Sequence, residues 1–131
     1  MLNIDTPSKN ILFTGDFDSR DSPLTSGAKP IKTDVLFIEG TYGGKDHANQ
    51  NEELTRFIDN IIRVTDKGGT VLIPAFANGR TQDMLMRLHQ NCPELDVHVD
   101  GMGKRITKLY LENTQFIKDP VSYTHLTLPT T

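Results

Sequence analysis

The sequence predicts an α/β fold in which a parallel sheet is flanked by helices. Three observations carry that prediction. Two apolar runs of strand length each end in an acidic residue: Ile11-Leu12-Phe13-Thr14 leads into Gly15-Asp16-Phe17, and Val35-Leu36-Phe37-Ile38 leads into Glu39-Gly40. Leu54, Phe57, Ile58, Ile61 and Ile62 recur at the spacing of one helical face. From residue 35 onward the chain reads strand, helix, strand, helix, strand, helix, the order of a parallel sheet with right-handed crossovers.

Taken in order, residues 1–15 read as an end strand and a turn leading into the strand at 11–14, the turn falling on Asp5-Thr6-Pro7-Ser8-Lys9-Asn10. Residues 17–34 are loop-like, with Asp18, Asp21, Ser22, Pro23, Ser26, Gly27 and Pro30. After the strand at 35–38 a glycine-containing loop runs to about Asn51, which is the expected helix cap, and Glu52 and Glu53 in the first turn favour the helix dipole. Lys67-Gly68-Gly69 ends that helix. Residues 70–73 are expected to form a buried strand that Pro74 stops. Gly79-Arg80-Thr81-Gln82 opens a second helix with Met84, Leu85 and Leu88 inward. Residues 95–99 are expected as a further strand, and Asp100-Gly101 starts a third helix with Met102, Ile106, Leu109 and Tyr110 inward. There is no internal repeat.

The bulk numbers fit one ordinary globular domain: 131 residues, 36% hydrophobic and 24% charged. No apolar stretch approaches the roughly 20 residues needed to cross a bilayer, and the start carries no signal-peptide pattern. A single cysteine, Cys92, excludes a disulfide framework, so a reducing, cytoplasmic setting is the default. Cys92 precedes Pro93 at a helix end and reads as a small packing residue rather than a nucleophile. The net charge of -3 gives no general basic footprint for nucleic acid. It leaves room for a nuclease, because a local groove and metal ions can bind phosphate on an acidic protein.

The two acids are the informative residues. A short apolar strand is normally buried, so Asp16 and Glu39 are expected on the rim of a sheet, where open α/β folds build their sites. Carboxylates held there suit a metal or a proton-transfer partner.

Three motifs in this order, Phe13-Thr14-Gly15-Asp16-Phe17, Ile38-Glu39-Gly40-Thr41-Tyr42-Gly43-Gly44 and Ile73-Pro74-Ala75-Phe76-Ala77-Asn78-Gly79-Arg80-Thr81-Gln82, resemble the β-CASP branch of the metallo-β-lactamase fold. That branch holds RNA- and DNA-processing hydrolases, among them the endonuclease of messenger-RNA 3′-end processing. Val99-Asp100-Gly101-Met102 followed by a helix also fits, and the resemblance covers about residues 10–119. It implies a fragment of a metallo-β-lactamase fold (the end of its first segment, 1–50) joined to the N-terminal part of a β-CASP domain (51–119), and a metal-dependent phosphodiester hydrolase with two Zn2+ ions in the full-length protein. Asp16 matches the metal-bridging aspartate, and its structural alternative is a turn or cap. Glu39 matches the first acidic motif of the insert, which contacts a histidine that helps protonate the leaving oxygen; equally, it can hold the loop amides of Thr41 to Gly44. Arg80 is a contact to substrate phosphate, packing that secures the insert, or an internal ion pair with an acid such as Asp100, the pair being favoured. Thr41 and Tyr42 shape the loop, and His47 reads as a loop histidine.

The resemblance implies RNA as the partner, with DNA as the alternative, and a homodimer or a processing complex. A different class of reading is a non-catalytic phosphate-binding α/β module, weakened by the absence of a Gly-x-Gly-x-x-Gly or Walker-type loop. The family's central His-x-His-x-Asp-His motif and its other histidine motifs do not occur here. One bridging aspartate cannot hold two zinc ions that each take about four ligands. The chain is therefore expected to be an internal slice, catalytically silent by itself, with weak zinc binding at most. Residues 121–131 carry no Asp, Glu, Lys or Arg and resemble the non-native endings of truncated genes, so 120–131 are set aside from the fold; a genuine edge strand or chain end is the alternative.

Overall fold

Hydrogen-bond ladders at the start of the chain and helices thereafter divide it into two compact units. The computed structural model describes residues 1–118, and the segment read as a non-native tail lies outside the described residues. The first unit comprises Met1–Asp21 and Ser26–His47, the second Ser22–Thr25 and the chain from Ala48 onward. No helix among the described residues is long and apolar enough to cross a membrane.

The first unit is a three-stranded sheet in the order β1 (Leu2–Asp5), β2 (Asn10–Phe13), β3 (Val35–Phe37). β2 and β3 are the two predicted strands and pair in parallel, Ile11 with Val35 and Phe13 with Phe37. β1 pairs antiparallel to β2, so the sheet is mixed rather than wholly parallel. The reason is the short link: Thr6 accepts from Lys9 through its hydroxyl (3.0 Å) and donates its amide to the Lys9 carbonyl (2.9 Å), a tight turn with Pro7 inside it. A link of that length closes a hairpin and cannot make a parallel crossover.

Cross-strand neighbours share a face. The register therefore places Leu2, Phe13 and Phe37 beside Ile4, Ile11 and Val35 on one side, all six apolar. Leu2, Ile4, Phe13 and Phe37 of this set are exposed, and the Phe13 and Phe37 rings stack with centroids 4.5 Å apart. Leu12, on the opposite side, is buried.

The second unit holds α1 (Gln50–Thr65), α2 (Arg80–Asn91) and α3 (Met102–Glu112), followed by a single 3-10 turn at Thr114–Phe116. α1 is capped by Asn49, two residues before the expected Asn51: the Asn49 side-chain oxygen accepts from the amides of Asn51 (3.0 Å) and Glu52 (3.4 Å). The apolar face read from the sequence is buried through Ile58 and Ile61, which cluster with Leu88 of α2 and with Cys92, the residue that caps its carboxyl end. Val71, Ile73, Leu95 and Val97 pack on the same cluster.

The expected strands at 70–73 and 95–99 do not join a ladder among the described residues. Their alternation is real: Val71 and Ile73 are half-buried around an exposed Leu72, and Leu95 and Val97 around an exposed Asp96. The apolar sides reach the helical cluster, but the backbones do not pair. A second cluster joins Leu24, Met86 and Ile117, with Tyr110 and Leu111 against it, and the Lys118 amide donates to the Leu24 carbonyl at 3.1 Å.

α3 departs from the reading of its inner face. Met102 and Leu109 are exposed, while Gly103 and Thr107 are buried. A Cβ on Gly103 would stand 3.2 Å from Thr81 Cγ2, so the glycine lets α3 approach α2 more closely than a larger residue permits.

Candidate functional site

Parallel pairing brings the carboxyl ends of β2 and β3 to the same edge, and the chain turns there after each strand. Gly15 makes the first turn with a φ of +57°, a conformation glycine adopts without strain. Thr14 ties the two strand ends together. Its amide donates to the Phe37 carbonyl at 3.0 Å, and its buried hydroxyl accepts from the Glu39 amide at 3.3 Å and donates to the Gly15 carbonyl at 2.7 Å.

Asp16 and Glu39 consequently line one open groove of about 720 Å³, together with Asp18, Arg20, Tyr42 and His47. Glu39 Oε2 accepts from the Thr41 amide at 2.8 Å, which holds its carboxyl below the usual range. That contact is the loop-holding role weighed from the sequence. Asp16 is exposed in the groove.

Beside the two acids, the Arg20 guanidinium grips Asp18 with two hydrogen bonds, Nε to Oδ1 at 2.9 Å and Nη2 to Oδ2 at 2.7 Å. This grip, the Arg20 amide and a smaller pull from His47 lower the Asp18 pKa to about 2. A depressed carboxyl stabilises the folded state above its unfolded pKa, near 4, and that contribution disappears as pH falls through 2. The Asp18 carboxyl carbon, followed by NMR between pH 1.5 and 6, is expected to titrate about two units below a free aspartate, a difference that Arg20→Ala reduces without abolishing, because the backbone amide at residue 20 still donates to Asp18.

Two residues read from the sequence as loop residues also line this groove. Tyr42 and His47 meet with ring centroids 4.8 Å apart and planes tilted by 50°. Their spacing alone gives no signal, because the contact depends on successive turns: Gly43 donates to the Gly40 carbonyl (2.9 Å) and Lys45 to that of Tyr42 (3.1 Å).

The described residues do not fit a metal pair by themselves. Among them no three His, Cys, Asp or Glu side chains gather as a metal-binding group. Asp16 and Glu39 supply two carboxylates, short of the about four ligands that one zinc takes.

Arg80 belongs to the second unit. It is exposed at the first position of α2, and among the described residues it forms no ion pair with Asp100, whose Oδ1 accepts from the Gly101 amide at 2.6 Å. The loop before it is firmly held. The Phe76 carbonyl accepts from the Thr81 amide (3.1 Å) and hydroxyl (2.8 Å), and Tyr110 donates to the Asn78 side chain at 2.9 Å. Gln82, fully buried, accepts from the Gly79 amide (2.7 Å) and donates to the Ala77 carbonyl (3.0 Å) and the Thr107 hydroxyl (2.9 Å). The third sequence motif is thus a rigid loop locked to α3.

Comparison with known proteins adds the deciding observation. The chain is 36% identical over 116 residues to "Probable RNase MJ4" of Methanocaldococcus jannaschii, covering 86% of this chain and 27% of that protein. It is 32% identical over 123 residues to "RNase aCSPSF2" of Saccharolobus solfataricus, covering 92% and 25%. It is 39% identical over 92 residues to "Cleavage and polyadenylation specificity factor subunit 3" of Dictyostelium discoideum, covering 69% and 12%. The chain belongs to the β-CASP family.

No protein-family model matches it. This β-CASP chain spans about a quarter or less of the length of these relatives. Within the β-CASP chain, the acids of the first two motifs share the groove of the first unit, and the third motif forms the locked loop of the second.

Proposed function

We propose that this chain is part of a β-CASP ribonuclease that hydrolyses RNA phosphodiester bonds. In this reading residues 1–50 close the first metallo-β-lactamase segment, and 51–119 begin the β-CASP domain. Asp16 contributes one carboxylate to a pair of zinc ions whose other ligands lie outside these residues. Glu39 stands beside that centre, its carboxylate kept charged by the Thr41 amide. Arg80 contacts substrate phosphate, an assignment supported by its exposure at a helix amino end and the lack of a pair with Asp100. The reading extends to a cytoplasmic protein that works as a homodimer or within a processing complex.

The single observation that carries the proposal is the convergence of Asp16 and Glu39 on one groove at the carboxyl ends of two parallel strands. The test compares two proteins, this chain and one extended to the length of its relatives. The extended protein is expected to cleave RNA and to lose that activity to a chelator. The 131-residue chain is expected to cleave nothing and to hold well under one zinc per molecule by elemental analysis. An extended protein inert toward RNA, or tight stoichiometric zinc in the short chain, would overturn the proposal.

A further inference from the structure

We propose that Tyr42 and His47 form a stacking edge for an unpaired base of single-stranded RNA, at the rim of the groove that holds Asp16 and Glu39. The inference rests on the ribonuclease reading above and adds where the substrate's bases are held.

Without metal ions, the side chains that line the groove offer phosphate little attraction. The groove carries three carboxylates, Asp16, Asp18 and Glu39, and its guanidinium, Arg20, is already committed to Asp18 through two hydrogen bonds. A phosphate that approaches these side chains in the metal-free chain meets like charge, so a second kind of contact is needed to hold the strand. Base faces carry no such penalty, and every base has one. Tyr42 offers the matching surface: it is 60% exposed, and its ring touches only the tilted imidazole of His47 among the aromatic contacts of the described residues.

The edge is also held in place before any ligand arrives. Turns closed at Gly43 and Lys45 fix Tyr42 at a corner, and the Thr41 amide anchors the preceding residue on Glu39. Gly44, at a φ of +73°, permits the second turn. A preorganised ring loses little freedom on binding. A duplex hides its base faces, so the edge selects single strands.

The experiment titrates the 131-residue chain with a single-stranded oligoadenylate, an abasic ribose-phosphate oligomer of equal length, and an RNA duplex. Ring protons of Tyr42 and His47 are expected to shift upfield with oligoadenylate alone. Tyr42→Ala is expected to weaken oligoadenylate binding about 5- to 100-fold, with Tyr42→Phe within about twofold of wild type, since the ring face and not the hydroxyl supplies the contact. Both side chains are solvent-exposed, and circular dichroism verifies that each variant keeps the fold. Equal binding of base-bearing and abasic oligomers, unchanged affinity in Tyr42→Ala, or no oligoadenylate binding would each overturn the proposal. The extended protein separates this inference from the reading beneath it. If it cleaves RNA with an unaltered KM in Tyr42→Ala, the stacking edge falls and the ribonuclease reading stands. If it does not cleave RNA, both fall.

Discussion

Replacing Gln82 by leucine is expected to lower the stability of the second unit by about 3 kcal/mol or more, because each buried polar group left without a partner costs about 1–3 kcal/mol. The Gln82 amide serves the Gly79 amide, the Ala77 carbonyl and the Thr107 hydroxyl at once. Leucine matches its size and satisfies none of them. Thr107 is itself fully buried and donates to the Gly103 carbonyl at 2.8 Å, so its remaining acceptor capacity is stranded by the change. Urea unfolding followed by helical circular dichroism gives the measurement. Thr107→Val should cost less, since it strands a single Gln82 N–H, and the double variant should cost less than the sum of the two. A Gln82→Leu loss below about 1 kcal/mol would show that the loop before α2 finds its hydrogen bonds elsewhere.

Asp16→Ala, introduced into the extended protein, is expected to reduce RNA cleavage at least about 100-fold, since removing even an outer partner of a metal ligand costs about 10- to 100-fold. Bound zinc should fall with it. The side chain lies exposed in the groove, so in metal-free protein the substitution should leave the unfolding midpoint nearly unchanged, which separates its effect on activity from one on folding. Asp16→Asn keeps one coordinating oxygen and removes the charge; a rate near wild type for that variant would argue against a bridging carboxylate.

Much of this chain is legible in its sequence where the signal is local. Four-residue apolar runs marked β2 and β3, and the acid after each strand lands in the shared groove because parallel partners end on the same side. The period of Leu54 to Ile62 marked α1, and only its cap moved, from Asn51 to Asn49. Reading fails where a contact depends on a neighbour distant in sequence. Residues 70–73 and 95–99 keep their alternation, yet a ladder also needs a second backbone alongside. The inner line of α3 was read only in part: Ile106 and Tyr110 are half-buried as expected, but Gly103 and Thr107, which have no hydrophobic periodicity, are inside because α2 passes close and Gln82 needs a partner. Tyr42 and His47 were read as loop residues, but their contact escaped for a similar reason, since turn geometry and not composition brings their rings together.

The one thiol of the chain offers a clock for local opening. Cys92 is 1% exposed among Ile58, Ile61 and Leu88, and burial, with a smaller push from Glu94, raises its pKa, so the reactive thiolate is scarce. A labelling reagent reaches that sulfur only when the helical cluster opens. The alkylation rate of the unmodified protein therefore records the opening of the helical cluster around Cys92.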